Sequence, residues 1–171
     1  MYSPNYYKPH TREHKDSLLN VEETGEFVYN MCTYELKDQM IVTSKHSPRS
    51  YDEMAEAGLD AVPCETVRPP RLKASPVVME CKYLQTIELE SPGEGARATS
   101  VIGQVVRIHV NDDYITPDGL IDMYKLRPLA GLGYYDYAVI EGSQLFQVKT
   151  PDDDRFSGDD SKGWEQAAGV E

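Results

Sequence analysis

The 171-residue sequence predicts a mainly β chain with a few short helices, an α+β domain in which antiparallel strands form a barrel-like sheet. Two long stretches rich in β-branched residues, Val77–Leu89 and Thr99–Val110, are separated by the turn sequence Ser91-Pro92-Gly93-Glu94-Gly95. This pattern is typical of a hairpin whose loop is longer than two residues. The second stretch has apolar residues on both faces, which indicates a strand covered on both sides, as in a closed barrel. The patterns with helical spacing are all short.

The first helix and the first strand follow from their end signals. Asp16 or Ser17 can cap a helix that continues through Leu18 and Leu19, and Gly25 is a helix stop. The next residues, Glu26–Thr33, are rich in aromatic and β-branched types and predict a strand. The chain therefore turns directly from a helix into a strand.

Two further helices are predicted before the hairpin. One covers Tyr34–Val42. The other covers Ser50–Gly58, where Ser50 is the expected cap, Glu53 its capping-box partner three residues later, and Gly58 the stop. Pro69, Pro70 and Pro76 then lead into the first hairpin strand.

After the hairpin the predicted elements are short. The sequence Thr116-Pro117-Asp118-Gly119 indicates a turn, followed by a helix over Met123–Leu129. Strands are expected over Leu132–Ile140 and Leu145–Val148. We expect one domain over residues 1–150 and an acidic, disordered tail over residues 151–171, where acidic residues far outnumber basic ones.

Composition and charge exclude several classes of partner. The net charge of −12 argues against nucleic acid, because a polyanion would be repelled. No run approaches the roughly 18 apolar residues of a membrane helix, and the N-terminal residues lack the apolar centre of a signal peptide. We therefore expect a cytoplasmic protein without membrane contacts. Cys32, Cys64 and Cys81 form no CxxC pair and are expected to be free thiols.

The segment Ser3–Ser17 is the candidate for ligand binding. It carries three basic residues, several hydroxyls and the amide of Asn5 directly before the first helix, and a helix N-terminus favours phosphate. Lys15 adds a point charge and Ser17 a hydroxyl donor, whereas Asp16 either caps the helix or bonds a sugar hydroxyl. The alternative is a solvated polar loop with an ordinary helix cap.

Other candidates are weaker as signals. His109 lies inside a long strand, either as a barrel-lining residue or as a hydrogen-bond donor near a bound ring. The pair Tyr134-Tyr135 could flank a planar ring or belong to a core or interface. His10 and His14 are four residues apart, but no metal site is expected in their basic surroundings. The sequence has no GxGxxG after a strand, P-loop, GxSxG or HExxH motif, and no catalytic side chain is predicted.

Several stretches, taken together and in order, resemble one family, the flavin-reductase-like proteins with an FMN-binding split barrel. The stretches that carry this resemblance are Ser3, Lys15-Asp16-Ser17, Glu22–Asn30, Ala57-Gly58-Leu59, Pro69–Arg71, Ser75–Cys81, Ile102–Val110 and Leu126–Tyr137. Each is weak by itself, but their order and spacing extend from Ser3 to about Pro151. One departure is Gly131-Leu132-Gly133, where the family often has an arginine first.

The resemblance implies an antiparallel split β-barrel, a homodimer, and one FMN in each subunit near the dimer interface. It also implies hydride or electron transfer between NAD(P)H and flavin, in which the protein orients the reactants. The residues expected to hold the cofactor are Ser3, Asn5, His14, Lys15, Asp16, Ser17 and His109.

The family's first strands and a flavin-contacting loop normally precede the position of Met1, so the resemblance describes an N-terminally truncated barrel. Missing strands would leave sheet edges exposed. Two alternatives to a reductase therefore stay open. One is a non-catalytic FMN-binding module, and the other is a truncated, flavin-free relative with a structural or dimerisation role.

Overall fold

A computed structural model describes residues 1–4, 8, 13–89, 98–146 and 148. Four α-helices occur among these residues: α1 (Asp16–Thr24), α2 (Lys37–Thr43), α3 (Glu53–Glu56) and α4 (Met123–Leu126). Seven strands occur there: β1 (Glu26–Asn30), β2 (Ala61–Val62), β3 (Arg71–Leu72), β4 (Val77–Leu89), β5 (Ala98–Val110), β6 (Leu129–Gly133) and β7 (Asp136–Val139). The expectation of a mainly β chain with short helices is confirmed. The predicted disordered tail, the turn at residues 91–95 and Asn5 lie outside the described residues.

The main sheet contains three antiparallel strands in the order β1-β4-β5. Strands β4 and β5 pair along their whole length, from Val77 opposite Val110 to Leu89 opposite Ala98, which confirms the predicted hairpin. Register shifts follow Glu80 and Tyr83 on β4, and such bulges strengthen the local twist of the sheet. The pairs β2-β3 and β6-β7 form two small separate sheets.

Helix α1 packs against one face of the main sheet. Its apolar residues sit at helical spacing, and Gly25 ends the helix in the left-handed region with φ 71°. The buried centre of this contact consists of Leu18, Val21 and Val101, with Tyr2, Phe27 and Tyr83 packed around it. Full burial of side chains of this size contributes roughly 1.5–3 kcal/mol each, so this cluster fixes where the N-terminus of α1 lies.

Two predicted helix caps were wrong. Lys15, and neither Asp16 nor Ser17, occupies the N-cap position of α1, with φ −62° and ψ 134°. Helix α3 starts later than predicted, because the Asp52 carboxylate accepts the Ala55 N–H at 3.0 Å and so performs the capping expected of Ser50. A carboxylate is as good a cap as a hydroxyl, so the sequence pattern alone did not separate the two positions.

The elements after β5 are shorter than predicted. Helix α4 ends at Leu126 because Arg127 adopts the left-handed conformation, with φ 46°, directly before Pro128. The region predicted as one strand, Leu132–Ile140, instead contains the end of β6, a turn and β7. The chain reverses at this turn, where Gly133 and Tyr134 both have positive φ.

The strand expected over Leu145–Val148 is also wrong for its described residues. A 3₁₀ turn, Gly142–Gln144, precedes them instead, and residues 145, 146 and 148 belong to no strand. The Gln144 side chain accepts the Glu141 N–H at 3.2 Å, which holds this turn closed. A local hydrogen bond of this kind competes with strand pairing.

The second half of β5 is more exposed than the sequence suggested. Val105 and Val106 are 44% and 40% exposed, and Ile108 is 58% exposed. In this half of β5, apolar side chains lie on both faces of the strand, but described residues of the chain do not cover both faces. The first half of the strand is covered, because Val101 is buried under α1.

The three cysteines are free thiols, as predicted. Within the described ranges no helix combines the length and apolar character needed to cross a membrane. Those same ranges contain no grouping of three or more His, Cys, Asp or Glu side chains suited to hold a metal ion.

Candidate functional site

A polar cleft of about 190 Å³ lies where the start of α1 faces the end of α2. Lys8, Lys15, Asp16 and Ser17 form one wall, residues 43–47 form the other, and Glu53 lies at the edge. The cleft thus contains three lysines and His46 against two carboxylates. Carboxylates pair with two of these lysines, Asp16 and Glu13 with Lys8 and Glu56 with Lys45, so an anion in the cleft would depend on Lys15 and on the backbone N–H groups at the start of α1.

Lys8 ties the two walls of the cleft together. Its side chain is 9% exposed, and its Nζ lies 2.8 Å from an Asp16 carboxylate oxygen. The same ammonium donates to the Ser47 carbonyl at 3.3 Å and lies 3.8 Å from Glu13. Because Lys8 neutralises Asp16, this carboxylate repels an anion in the cleft less than a free one would.

The first turn of α1 opens into this cleft without a side-chain cap. Lys15 at the N-cap makes no capping hydrogen bond, although its carbonyl accepts the N–H groups of Leu18 and Leu19 at 3.0 and 3.1 Å. The N-terminal N–H groups of a helix and its dipole favour anions. An ordinary capping side chain would accept hydrogen bonds from the first N–H groups of α1. Because no described side chain does so here, these N–H groups are available to a ligand.

The structure brings only part of the predicted site together. Lys15, Asp16 and Ser17 all line the polar cleft, whereas His14, which precedes them, is half-buried and not among its lining residues. The Ser3 hydroxyl donates to the Thr99 carbonyl, which joins the N-terminal segment to β5. Asn5 lies outside the described residues. Sequence reasoning missed the wall formed by residues 43–47, although the basic pair Lys45-His46, shortly after the predicted end of a helix, was a signal that could have found it.

His109, another residue expected to hold the cofactor, is not among the residues that line the polar cleft and contacts Glu80 instead. Its Nε2 lies 2.6 Å from Glu80 Oε1, and Glu80 is fully buried. Glu80 also accepts the N–H groups of Glu65, Thr66 and Val67, at 2.9, 2.7 and 3.2 Å.

Burial alone would raise the pKa of Glu80, but the Thr66 hydroxyl, the Glu65 N–H and His109 outweigh it and hold the pKa well below its usual range. Glu80 is thus a buried anion that holds the loop 64–67 against the main sheet. The imidazole of His109 is one of the donors that stabilise this anion.

An apolar groove of about 900 Å³ lies next to the polar cleft, and Ser17 lines both. Its floor is one face of the main sheet, with Phe27, Met79, Cys81 and Val105 among the residues that line it. Its size falls in the range of pockets that hold small organic ligands, whereas the cleft is smaller than that range. The cleft is therefore suited to one charged group, and the groove to a larger apolar body.

Glu26 lies at the rim of this groove with two cationic neighbours. It pairs with Lys82 and with Arg68, whose Nε lies 3.2 Å from Glu26 Oε2. The hydrogen bond from Lys82, followed by the Arg68 N–H, lowers the pKa of Glu26 to about 2. Arg68 also donates to the Thr24 carbonyl at 2.7 Å, so this rim is fixed to the end of α1.

Comparison with known proteins identifies the class of this fold. The sequence model of the flavin reductase like domain matches residues 10–138. The structure of nitrilotriacetate monooxygenase component B from Bacillus cereus superposes with a TM-score of 0.74 at 26% identity, covering 85% of this chain and 70% of that one. A Shewanella frigidimarina structure described as a flavin reductase with a split barrel domain superposes with a TM-score of 0.66 at 22% identity, covering 78% of this chain and 65% of that one. The fold is therefore that of the flavin-reductase-like split barrels, as expected.

The chain belongs to the flavin reductase like domain family. An uncharacterized protein of Methanothermobacter thermautotrophicus is 37% identical over 116 residues, which are 67% of this chain and 54% of that protein. The chain thus spans about half the length of this curated relative.

Proposed function

We propose that the chain is an FMN-binding, flavin-reductase-like protein that transfers hydride or electrons between NAD(P)H and flavin. The observation that carries this proposal is the polar cleft, in which Lys15 and Ser17 meet at the uncapped start of α1 in a chain of this family. A phosphate dianion would gain charge-assisted hydrogen bonds there.

The apolar groove next to the polar cleft favours a flavin over an isolated phosphate as the ligand. FMN combines a planar ring with a terminal phosphate on a polyhydroxy chain, and the structure offers an apolar groove that meets the polar cleft at Ser17. Bound flavin would supply the redox chemistry, as organic cofactors do. The chain's own residues would bind the phosphate and orient the ring, and no acid, base or nucleophile is required of them.

We also propose that the protein works as a homodimer in the cytoplasm. The exposed apolar residues Val106 and Ile108 on β5, which do not line the groove, favour cover by a second subunit. Three free thiols favour a reducing compartment.

Binding of FMN tests the proposal directly. The purified protein is incubated with FMN and passed through a spin filter, and the retained flavin is measured by absorbance. We expect the wild-type protein to retain FMN and the variant Lys15→Gln to bind it at least about tenfold more weakly, because one charge-assisted hydrogen bond is lost. The matched control is Lys73→Gln, which removes an exposed lysine that lines neither the cleft nor the groove.

Turnover separates the classes of function. Oxidation of NADH and NADPH, followed at the nicotinamide absorbance, is expected to depend on added FMN. Retained FMN without such oxidation would indicate a non-catalytic FMN module. A folded sample that releases all its flavin through the filter would overturn the proposed function.

A further inference from the structure

A cavity of about 320 Å³ lies where the end of β1 meets the helices α2 and α3. Asn30 and Pro70 are the described residues that it shares with the apolar groove. Thr43 and Glu53 are the described residues that it shares with the polar cleft. The cavity is therefore a third site beside the two already described, and its volume lies at the lower end of the range for pockets that hold small organic molecules.

Gln39 on α2 lines this cavity with a polar atom that lacks a partner. Its Oε1 is buried, and no described residue donates a hydrogen bond to it. Buried acceptors without a donor are rare in folded proteins, because the lost contact with water is not replaced. Neighbouring polar groups are already engaged, since Asn30 Oδ1 accepts the Leu72 N–H at 2.9 Å and the Thr43 hydroxyl donates to the Met40 carbonyl at 3.0 Å. A donor on a bound molecule would satisfy Gln39.

The walls of the cavity favour an aromatic molecule over water. A buried water typically makes about three hydrogen bonds, and Gln39 Oε1 supplies one. Met31, Met40 and Met54 all line the cavity. Methionine side chains adapt to irregular shapes, and their sulfur atoms make favourable contacts with aromatic rings. An apolar cavity of roughly 150 Å³ holds one benzene ring, so a cavity of about 320 Å³ has room for two fused rings.

We propose that this cavity binds a small, uncharged bicyclic aromatic molecule whose single N–H or O–H group donates to Gln39 Oε1. Glu53 is the charged side chain among the described lining residues, and its carboxylate disfavours an anionic ligand. The cavity has its own acceptor and its own apolar walls, so binding there requires neither FMN nor the polar cleft. The inference therefore goes beyond the proposed function and does not depend on it.

Indole is the probe, and benzofuran, which has an oxygen in place of the N–H group, is its matched control. We expect calorimetric titration of the full chain to show indole binding about tenfold more tightly than benzofuran. Gln39→Leu should remove this difference, because it weakens indole binding about tenfold and leaves benzofuran binding unchanged. Leucine keeps the size and the helix preference of glutamine, so the variant is expected to fold. Gln104→Leu, at an exposed position on β5 outside the cavity, should leave the difference intact.

Methyl-labelled methionine locates the bound ring by NMR. The cavity is lined by Met31, Met40 and Met54, the groove by Met1 and Met79, and Met123 lines neither. We expect indole to shift the methyl signals of the three cavity methionines and to leave the other three in place. Shifts confined to the two groove methionines would overturn the inference, as would a folded wild-type protein that binds no indole or binds benzofuran equally well. Shifts at the cavity methionines in a protein that retains no FMN would uphold the inference while the proposed function fails.

Discussion

Replacing Gly103 with alanine is expected to destabilise the protein by about 3 kcal/mol, at the upper end of the cost of overpacking a core. A Cβ at this position would lie 2.4 and 2.6 Å from ring atoms of Phe27 and 2.8 Å from the Lys82 carbonyl oxygen. The carbonyl belongs to the paired strand β4 and cannot move without disturbing the sheet. The ring cannot move freely either, because Phe27 packs edge-on against Tyr2, with ring centroids 5.3 Å apart, at the edge of the core.

Gly131→Ala is the matched control for this prediction. Gly131 also lies in a strand, but a Cβ there would meet only the Tyr137 ring at 3.5 Å, an ordinary contact distance. We expect its free energy of unfolding, measured by urea denaturation with circular dichroism, to stay within about 0.5 kcal/mol of wild type. Equal losses in the two variants would contradict the close-contact explanation.

A rescue experiment distinguishes lost space from a general strand effect. If the clash with Phe27 is the cause, Phe27→Leu should cost less in the Gly103→Ala background than in the wild type, since the shorter side chain relieves the contact. Strictly additive losses would show that the Lys82 carbonyl, and not the ring, sets the penalty.

Replacing Glu80 with alanine is the second large effect, an expected loss of about 3–5 kcal/mol. The fully buried carboxylate accepts three backbone N–H groups from loop 64–67, the Thr66 hydroxyl and His109. Truncation would leave all of these donors without their acceptor. Glu80→Gln should also destabilise, because its amide would direct N–H donors at N–H donors.

Glu65→Gln is the control for the Glu80 variants. Glu65 is an exposed neighbour in the same network, paired with Arg107, and its side chain is 55% exposed. Exposed pairs typically contribute no more than about 1 kcal/mol, so this variant should unfold close to wild type in urea. A loss as large as that of Glu80→Ala would indicate that the network's charge, and not the buried acceptor, provides the stability.

Glu80 also predicts how stability depends on pH. Its folded-state pKa lies below the ordinary value of 4.5, so its contribution is complete above that value and is lost as the pH falls toward the folded-state pKa. The wild-type free energy of unfolding should therefore decline with falling pH below about 5. Glu80→Gln should show a flatter decline in that window, with the remainder due to groups such as Glu26, whose pKa is lowered to about 2. Identical slopes would show that Glu80 does not titrate with unfolding.

The sequence alone determined the elements whose signals are local. Gly25 marked the end of α1, the long β-branched stretches marked β4 and β5, and the basic residues before α1 marked one wall of the cleft. These features depend on periodicity, turn chemistry and capping within a few neighbouring residues. Where two local signals were equivalent, as with Ser50 and Asp52 at α3, the sequence could not choose between them.

Only the tertiary structure decided the contacts between distant segments. Lys45 and His46 lie across the cleft from Lys15. Glu80 accepts hydrogen bonds from a loop more than ten residues earlier in the chain, and Gly103 lies against Phe27. Strands β2 and β3, with two residues each, are too short to carry a period of their own and exist because they pair with each other. Such features depend on which faces meet after α1 packs on the main sheet, and no periodicity within one segment encodes that meeting.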